Sequence, residues 1–387
     1  MPTKEYNSAT VDVIVPIKRI EPFLSECLLS ICNQTLKPRS IIIVFDDENS
    51  QAYEEAKKIE ERLSTQAKGA QESKFIFIKS IGPSASKARN TGLQLARYEN
   101  GNKNKHKDVA GNSGGSIADF IAFLDADDIW HPEKLEKQIK YYHSLQSDSK
   151  NKVGIIYCPY VAIDINGKLI SENSTNKNPN ENTNKSGVTI KSADKNNDWD
   201  IKPLLPKQAL NELFHIPIRH AFPIPSTLIM PRHSFIRASF DNTLVGCEDL
   251  DFAISIAQKF EIHGIPESLL FYRRHNTNMS NDQSHIRIHT AKVYDKYLKH
   301  IKENVDIYRE GLNKLAVHLA VYSLPFFKTK ELKRFPLKTW LSDEMRQMLF
   351  ETPLGTSKNL FMFFHPGIVL KALNGKFGIK KVNWKRF

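Results

Sequence analysis

Three carboxylates lie within four residues at Asp125, Asp127 and Asp128, directly after the apolar run Phe120-Ile121-Ala122-Phe123-Leu124. Two acids one residue apart on a tight turn can share a hard divalent cation and the phosphate oxygens it carries. The same acids suit a plainer task, because an Asp ahead of a helix caps it, and taken alone the spacing leaves both readings open. Three further polar clusters interrupt apolar segments: Asp46-Asp47, Lys87-Ala88-Arg89-Asn90, and Glu248-Asp249 with Arg273-Arg274-His275. Acids that hold a cation, set beside basic groups that neutralise phosphate, suit a bound diphosphate and its metal.

Such groups need rigid elements to aim them. Phe120 to Leu124 has the length and unbroken apolar character of a strand buried on both faces. Pro132 suits the first turn of a helix, and Leu135, Ile139, Tyr142 and Leu145 follow at helical spacing. The acids therefore fall at the carboxyl end of a buried strand, where open α/β sheets bind ligands. Upstream, Val11 to Val15 reads as a strand stopped by Pro16, and Phe23, Leu24, Cys27, Leu28 and Ile31 recur as a helix. Ile41 to Phe45 and Phe75 to Ile78 are strands, separated by a charged helix over 51–63. Ser84 is placed to cap a helix carrying Ala88 and Leu93. Downstream, the pattern predicts strands over 153–158, 224–230 and 267–272 and helices over 204–214 and 249–260. Strand alternating with helix predicts an α/β fold, a Rossmann-like, mostly parallel sheet flanked by helices. The polar tracts 99–117 and 168–198 read as surface insertions.

The chain of 387 residues is long enough for a catalytic domain over 1–285 and a helical, basic C-terminal extension over 286–387. Net charge is +12, and residues 325–387 contribute 13 basic and four acidic side chains to it. With Phe326, Phe327, Phe335, Trp340 and Phe361 among those lysines, the tail suits an anionic membrane surface, or else a small helical cap whose aromatics fill its own core. No nucleic acid partner is expected. Cys27, Cys32, Cys158 and Cys247 show no metal-type pairing and read as reduced thiols. No secretory pattern precedes Val11, and no apolar run approaches the ~20 residues that span a bilayer. The expected location is the cytoplasm, with peripheral contact at the inner face of the cell membrane.

Seven segments, in order, resemble glycosyltransferase family 2, inverting enzymes with the GT-A fold, over about residues 11–280. They are Val13-Ile14-Val15-Pro16, Ser30-Ile31-Cys32-Asn33-Gln34-Thr35, Val44-Phe45-Asp46-Asp47-Glu48-Asn49-Ser50, Ser86-Lys87-Ala88-Arg89-Asn90-Thr91-Gly92, Phe123-Leu124-Asp125-Ala126-Asp127-Asp128-Ile129-Trp130, Glu248-Asp249, and Tyr272-Arg273-Arg274-His275. The resemblance implies a nucleotide-sugar site made by Pro16, Asp47, Lys87, Arg89, Asn90, Asp125, Ala126 and Arg274. Within it Asp47 would bind the donor's base, and Asp125 would face the ribose and metal side. Asp127 and His275 would hold Mg²⁺ or Mn²⁺, leaving Asp128 to cap. Glu248 would bind the acceptor and Asp249 would act as general base. The implied reaction moves a sugar, with a uridine diphosphate sugar as the expected donor, to a saccharide or lipid-linked acceptor. Departures fall at Glu48, where the family turn carries Gly, and at Leu250 and Ser255, where Trp and Arg are usual; they bear on acceptor identity. Two rival readings of the same residues are a nucleotidyltransferase of similar sheet, and a non-catalytic polyanion- or membrane-binding protein.

Overall fold

The computed structural model describes residues 8–18, 22–46, 51–66, 73–97, 117–170 and 223–282, with scattered positions between 286 and 297. The chain divides into two compact units, 1–281 and 282–387. The strands of the first unit are β1 (Val11–Ile17), β2 (Ser40–Phe45), β3 (Lys74–Lys79), β4 (Phe120–Phe123), β5 (Ile129–Trp130), β6 (Val153–Tyr157), β7 (Tyr160–Ile163), β8 (Ile229–Pro231), β9 (Glu261–Gly264) and β10 (Leu270–Arg273). Seven of them form one sheet in the order β3-β2-β1-β4-β8-β6-β9, and β5-β10-β7 form a second, smaller one. β3, β2, β1 and β4 run parallel, β8 is antiparallel to both its neighbours, and β6 and β9 are again parallel. This is the expected mostly parallel α/β arrangement, and its central strands are buried.

The helices are α1 (Leu24–Cys32), α2 (Gln51–Gln66), α3 (Ala85–Arg97), α4 (Lys134–Ser144), α5 (Ser147–Lys150), α6 (Arg232–Phe235) and α7 (Glu248–Ala257). One face of the sheet, Val11, Val13, Val15, Ile41 and Ile43, packs with Leu24 and Cys27 of α1, Ala56 and Ile59 of α2, and Leu135 and Ile139 of α4. On the other face α3 lies so close to β1 that a Cβ on Gly92 would come within 2.7 Å of Ile14. Only glycine fits that approach. Phe123 of β4 meets Phe240 and Phe252 edge-on on this side, which seats α7 below the sheet's carboxyl ends. Ser84 caps α3 as expected, its Oγ accepting from Lys87 N at 3.2 Å.

Several boundaries differ from the sequence reading, each for a local reason. Pro16 does not stop β1, which continues to Ile17 in register with β2. The last bond from β1 toward β4 is Leu124 N to Ile14 O, so the nitrogen of Pro16 falls beyond the end of β4 and its missing N–H interrupts nothing. The segment 224–230 is a strand only from Ile229; Pro225–Thr227 is a 3₁₀ turn begun by the proline. Helix α7 ends at Ala257, three residues short of the expected 260, and β9 (Glu261–Gly264) follows as a strand the periodicity did not predict. The expected helix over 204–214, the tract 99–116, most of 168–198 and the tail 325–387 lie outside the described residues.

Candidate active site

The Asp125 turn is held by contacts from four directions. Asp125 N donates to Ser226 Oγ at 3.1 Å, and Trp130 Nε1 donates to Ser226 O at 2.8 Å. Cys27 Sγ donates to Asp125 O at 3.5 Å. Gln34, at the end of the Ser30–Thr35 segment, gives its amide N–H to His131 O at 2.8 Å and accepts from Leu135 N at 3.0 Å. That segment therefore works as a brace behind the acids rather than as a ligand. Ala126 is buried in the turn.

Asp128 corrects an expectation. It caps no helix: α4 begins at Lys134 with Glu133 before it and no side-chain cap. Asp128 is instead 1% exposed, and its Oδ1 accepts from Arg273 N at 3.1 Å, tying the turn to β10. Burial first, then the neighbouring Asp127 and Asp125, push its carboxyl well above the ordinary range.

Two ion-paired groups face one another across this turn. Arg89, projecting from α3, donates to Asp125 Oδ1 at 2.7 Å and to Glu248 Oε1 at 2.9 Å. Burial alone would lower the pKa of its guanidinium, but the two carboxylates more than offset that and raise it. Glu248 is thus 9% exposed and turned onto Arg89. On the other side, His275 Nε2 and Asp127 Oδ2 lie 3.0 Å apart, and His275 Nδ1 bonds Thr277 Oγ1 at 2.8 Å. Burial and Asp125 raise the Asp127 carboxyl, with His275 opposing them.

Asp249 stands in the first turn of α7, one residue beyond Glu248 and two beyond a strained position. Cys247 has φ 55, and it is the one non-glycine residue with positive φ among the described residues. The Asp249 carboxyl accepts from Leu250 N at 2.8 Å. Burial and then Glu248 push it up to about 6, although Arg89 and the Leu250 N–H pull the other way. Asp249 is a carboxylate that holds a proton more tightly than usual, with an arginine nearby.

The other residues singled out in the sequence lie in less central positions. Asn90 spends its amide on the loop before α7, donating to Phe240 O and Asn242 Oδ1 and accepting from Phe240 N, all at 2.8–2.9 Å. Lys87 runs along the backbone of Gly82, in the loop between β3 and α3. Arg274 is exposed, and it lowers the pKa of the nearby Tyr160 against the upward push of burial. Asp47 lies outside the described residues; Asp46, at the end of β2, is raised by burial.

Sequence reasoning gave Arg273 no role of its own and did not single out Ser226 or Glu26. Arg273 is 0% exposed and its guanidinium reaches Asp127 O, Asp164 O, Ile165 O and Glu26 Oε2. Strand alternation was the available signal: in Tyr272-Arg273-Arg274-His275 the first arginine shares a face with His275, the second with Tyr272. Ser226 and Glu26 carried no signal, being ordinary polar residues in a turn and on a helix.

Among the described residues no group of three or more His, Cys, Asp or Glu side chains converges as a metal cage. Asp127 and His275 do fit a cation that keeps its remaining places for phosphate oxygens and water, the usual habit of Mg²⁺. As both ring nitrogens of His275 are engaged, it either orients Asp127 or exchanges that bond for the metal.

Carboxylates ion-paired with an arginine and a histidine beside an α/β sheet suit a group-transfer site. Residues 12–187 match the profile of Glycosyl transferase family 2. An uncharacterized glycosyltransferase of Methanocaldococcus jannaschii is 27% identical over 322 residues, covering 81% of this chain and 88% of that protein. Over residues 12–187 the chain is thus similar to glycosyltransferases of family 2. Among solved structures, Staphylococcus aureus TarS 1-349 in complex with UDP-GlcNAc shares 14% identity at a TM-score of 0.49, covering 85% of this chain and 77% of that one. The mannosyltransferase PcManGT from Pyrobaculum calidifontis in complex with GDP-Man and Mn²⁺ also shares 14%, at a TM-score of 0.45, covering 96% of this chain and 89% of that one.

Proposed function

We propose that the chain transfers one sugar, with inversion, from a nucleoside-diphosphate sugar to a hydroxyl of a saccharide or lipid-linked acceptor, with Asp249 as general base. The observation that carries this reading is the Asp249 carboxyl, pushed up to about 6 beside the Asp125–Arg89–Glu248 chain. A base is most useful when its pKa lies near the working pH. The acceptor O–H gives its proton to Asp249 while the oxygen bonds to the anomeric carbon. The bond from that carbon to the diphosphate oxygen breaks on the opposite side, and its electron pair leaves with the nucleoside diphosphate. One displacement of this kind inverts the anomeric centre and needs no covalent enzyme intermediate.

The donor side falls to Asp125 and Arg89, with Pro16, Ala126, Lys87 and Asn90 shaping the pocket and Asp47 taking the base. Arg89 is neutralised by two carboxylates, so it works by fixing Asp125 and Glu248 rather than by meeting phosphate directly. The exposed guanidinium of Arg274 is available to the leaving diphosphate. Mg²⁺ or Mn²⁺, held by Asp127 with His275 beside it, would neutralise that leaving group when bound. Glu248, buried on Arg89, would reach an acceptor only at its rim. The catalytic unit would be 1–285, with the basic tail bringing it to an anionic membrane surface. No helix among the described residues is long and apolar enough to cross a membrane.

The test is a panel of sugar nucleotides, uridine diphosphate sugars first, incubated with purified protein and Mn²⁺. Release of nucleoside diphosphate, with the product's anomeric configuration read by NMR, is expected. Silence across the whole panel sinks the reading, and release of pyrophosphate instead would favour a nucleotidyltransferase.

A further inference from the structure

We infer that Arg273 is a positioning residue for the cation side of this site, fixing Asp127 and His275 relative to one another so that its loss weakens divalent-cation binding without removing a ligand. The inference rests on Asp127 and His275 being that side, as proposed above. Arg273 is the last residue of β10, wholly buried, and every nitrogen it owns is engaged. Its backbone N–H reaches Asp128 Oδ1 at 3.1 Å and its Nε reaches Asp127 O at 3.0 Å. Nη1 spans Asp164 O and Ile165 O at 3.3 and 3.2 Å, and Nη2 meets Glu26 Oε2 at 2.6 Å. One side chain thus joins the acid turn, the loop after β7 and helix α1.

The link to His275 runs through a shared ring. Phe23, just before α1, lies 4.2 Å under the Arg273 guanidinium and 5.5 Å from the His275 ring. Arg273 is therefore packed against the residue that backs His275, while hydrogen-bonding the main chain of the residue that His275 meets. A planar fork with donors on three nitrogens can hold those partners at once; a lysine ammonium, a single point charge on a flexible stem, cannot. Residues that orient metal ligands typically contribute about 10–100-fold in metal affinity. The side chain of Glu26 is 56% exposed, so this carboxylate partner of the guanidinium can be changed without opening the core.

The experiment is Mn²⁺ binding to the full chain, read by the loss of free-ion EPR signal and paired with thermal unfolding. Arg273→Lys should raise the Mn²⁺ concentration for half-occupancy about 10–100-fold, and Glu26→Gln should raise it several-fold in the same direction. Arg39→Lys serves as the control: it disturbs the Arg39–Asp12 pair, where β1 and β2 begin, and should lower the melting temperature while leaving Mn²⁺ occupancy unchanged. If Arg273→Lys fails to fold, Glu26→Gln decides. Wild-type binding with Arg273→Lys and Glu26→Gln matching the control overturns the positioning role alone. No Mn²⁺ binding by the wild type brings down the cation reading itself, and the inference with it.

Discussion

Asp125 with Asp127, and Glu248 with Asp249, are both acid pairs at the edge of one site, yet they are built differently. The first pair sits on a turn braced by Ser226, Gln34, Cys27 and Arg273, and each acid has a basic partner, Arg89 or His275. The second sits on the first turn of a helix entered through the strained Cys247, and among the described residues only Glu248 of the two is ion-paired. Asp249 accepts a backbone N–H and is otherwise pressed by burial and by Glu248. Ion pairing fixes where an acid sits, and at Asp127 His275 opposes the upward push of burial and Asp125; Asp249, left with burial and a like charge, gains proton affinity. Under the proposed reaction the two pairs would divide the work between charge placement and proton transfer, and Arg89 is bonded to one member of each.

The sharpest way to break this division is Asp249→Asn. If proton transfer belongs to Asp249, sugar transfer should fall about 10²–10⁴-fold, with Mn²⁺ binding kept and the melting temperature at pH 7 not lowered. Full transfer activity in that variant would remove the general base from the second pair altogether. Second in size is Arg89→Met, which strands the buried carboxylate of Glu248 and the half-buried one of Asp125. Breaking a buried pair by removing one partner costs about 3–5 kcal/mol, measured by urea unfolding. Asp125→Asn in that background should recover part of the loss, because it removes one of the stranded charges.

Asp127→Asn is expected to lower metal-dependent release of nucleoside diphosphate by about 10²-fold and to weaken Mn²⁺ binding in parallel. A loss of turnover with unchanged Mn²⁺ binding would move the cation away from the first pair. Asp128→Asn should instead act on stability, since its carboxyl is committed to the backbone of β10. These two neighbours look alike in sequence and differ only in what closes over them.

That contrast marks how far the sequence could be read. The runs Val11–Ile17, Ser40–Phe45 and Phe120–Phe123 are apolar enough to be strands on sight, and the acids after the last two pointed to a ligand edge. The pairing of Arg89 with Glu248 joins residues 159 apart and has no local signature. β5 and β7, of two and four residues, are set by pairing with β10 rather than by any periodicity of their own. Asn90 read as a nucleotide contact from its segment, yet its carboxamide is matched to the Phe240 backbone, a partner that only the folded chain supplies. Types and order of the candidate residues could be read from the sequence; which of them touch was a property of packing.

The smallest expected effect separates the two acid pairs by pH alone. Asp249 has a pKa pushed up to about 6 in the folded chain, against 3.8 as its ordinary value. The folded state therefore binds this proton more tightly than the unfolded state. The associated stability is fully present below the ordinary value and is lost as pH rises through about 6. At about 1.4 kcal/mol per unit the shift corresponds to at most about 3 kcal/mol, and contact with water reduces it further. Asp249→Asn should flatten this part of the stability profile between about pH 4 and 7 while Asp127→Ala leaves it in place, both followed by urea titration. Transfer activity should run the other way, rising with pH as Asp249 loses its proton and becomes able to accept one from the acceptor hydroxyl. Opposite pH slopes for stability and turnover, both abolished by the same Asn substitution, would tie the raised pKa to the base. Parallel slopes would assign the titration to another group and leave Asp249 as a helix-start acid.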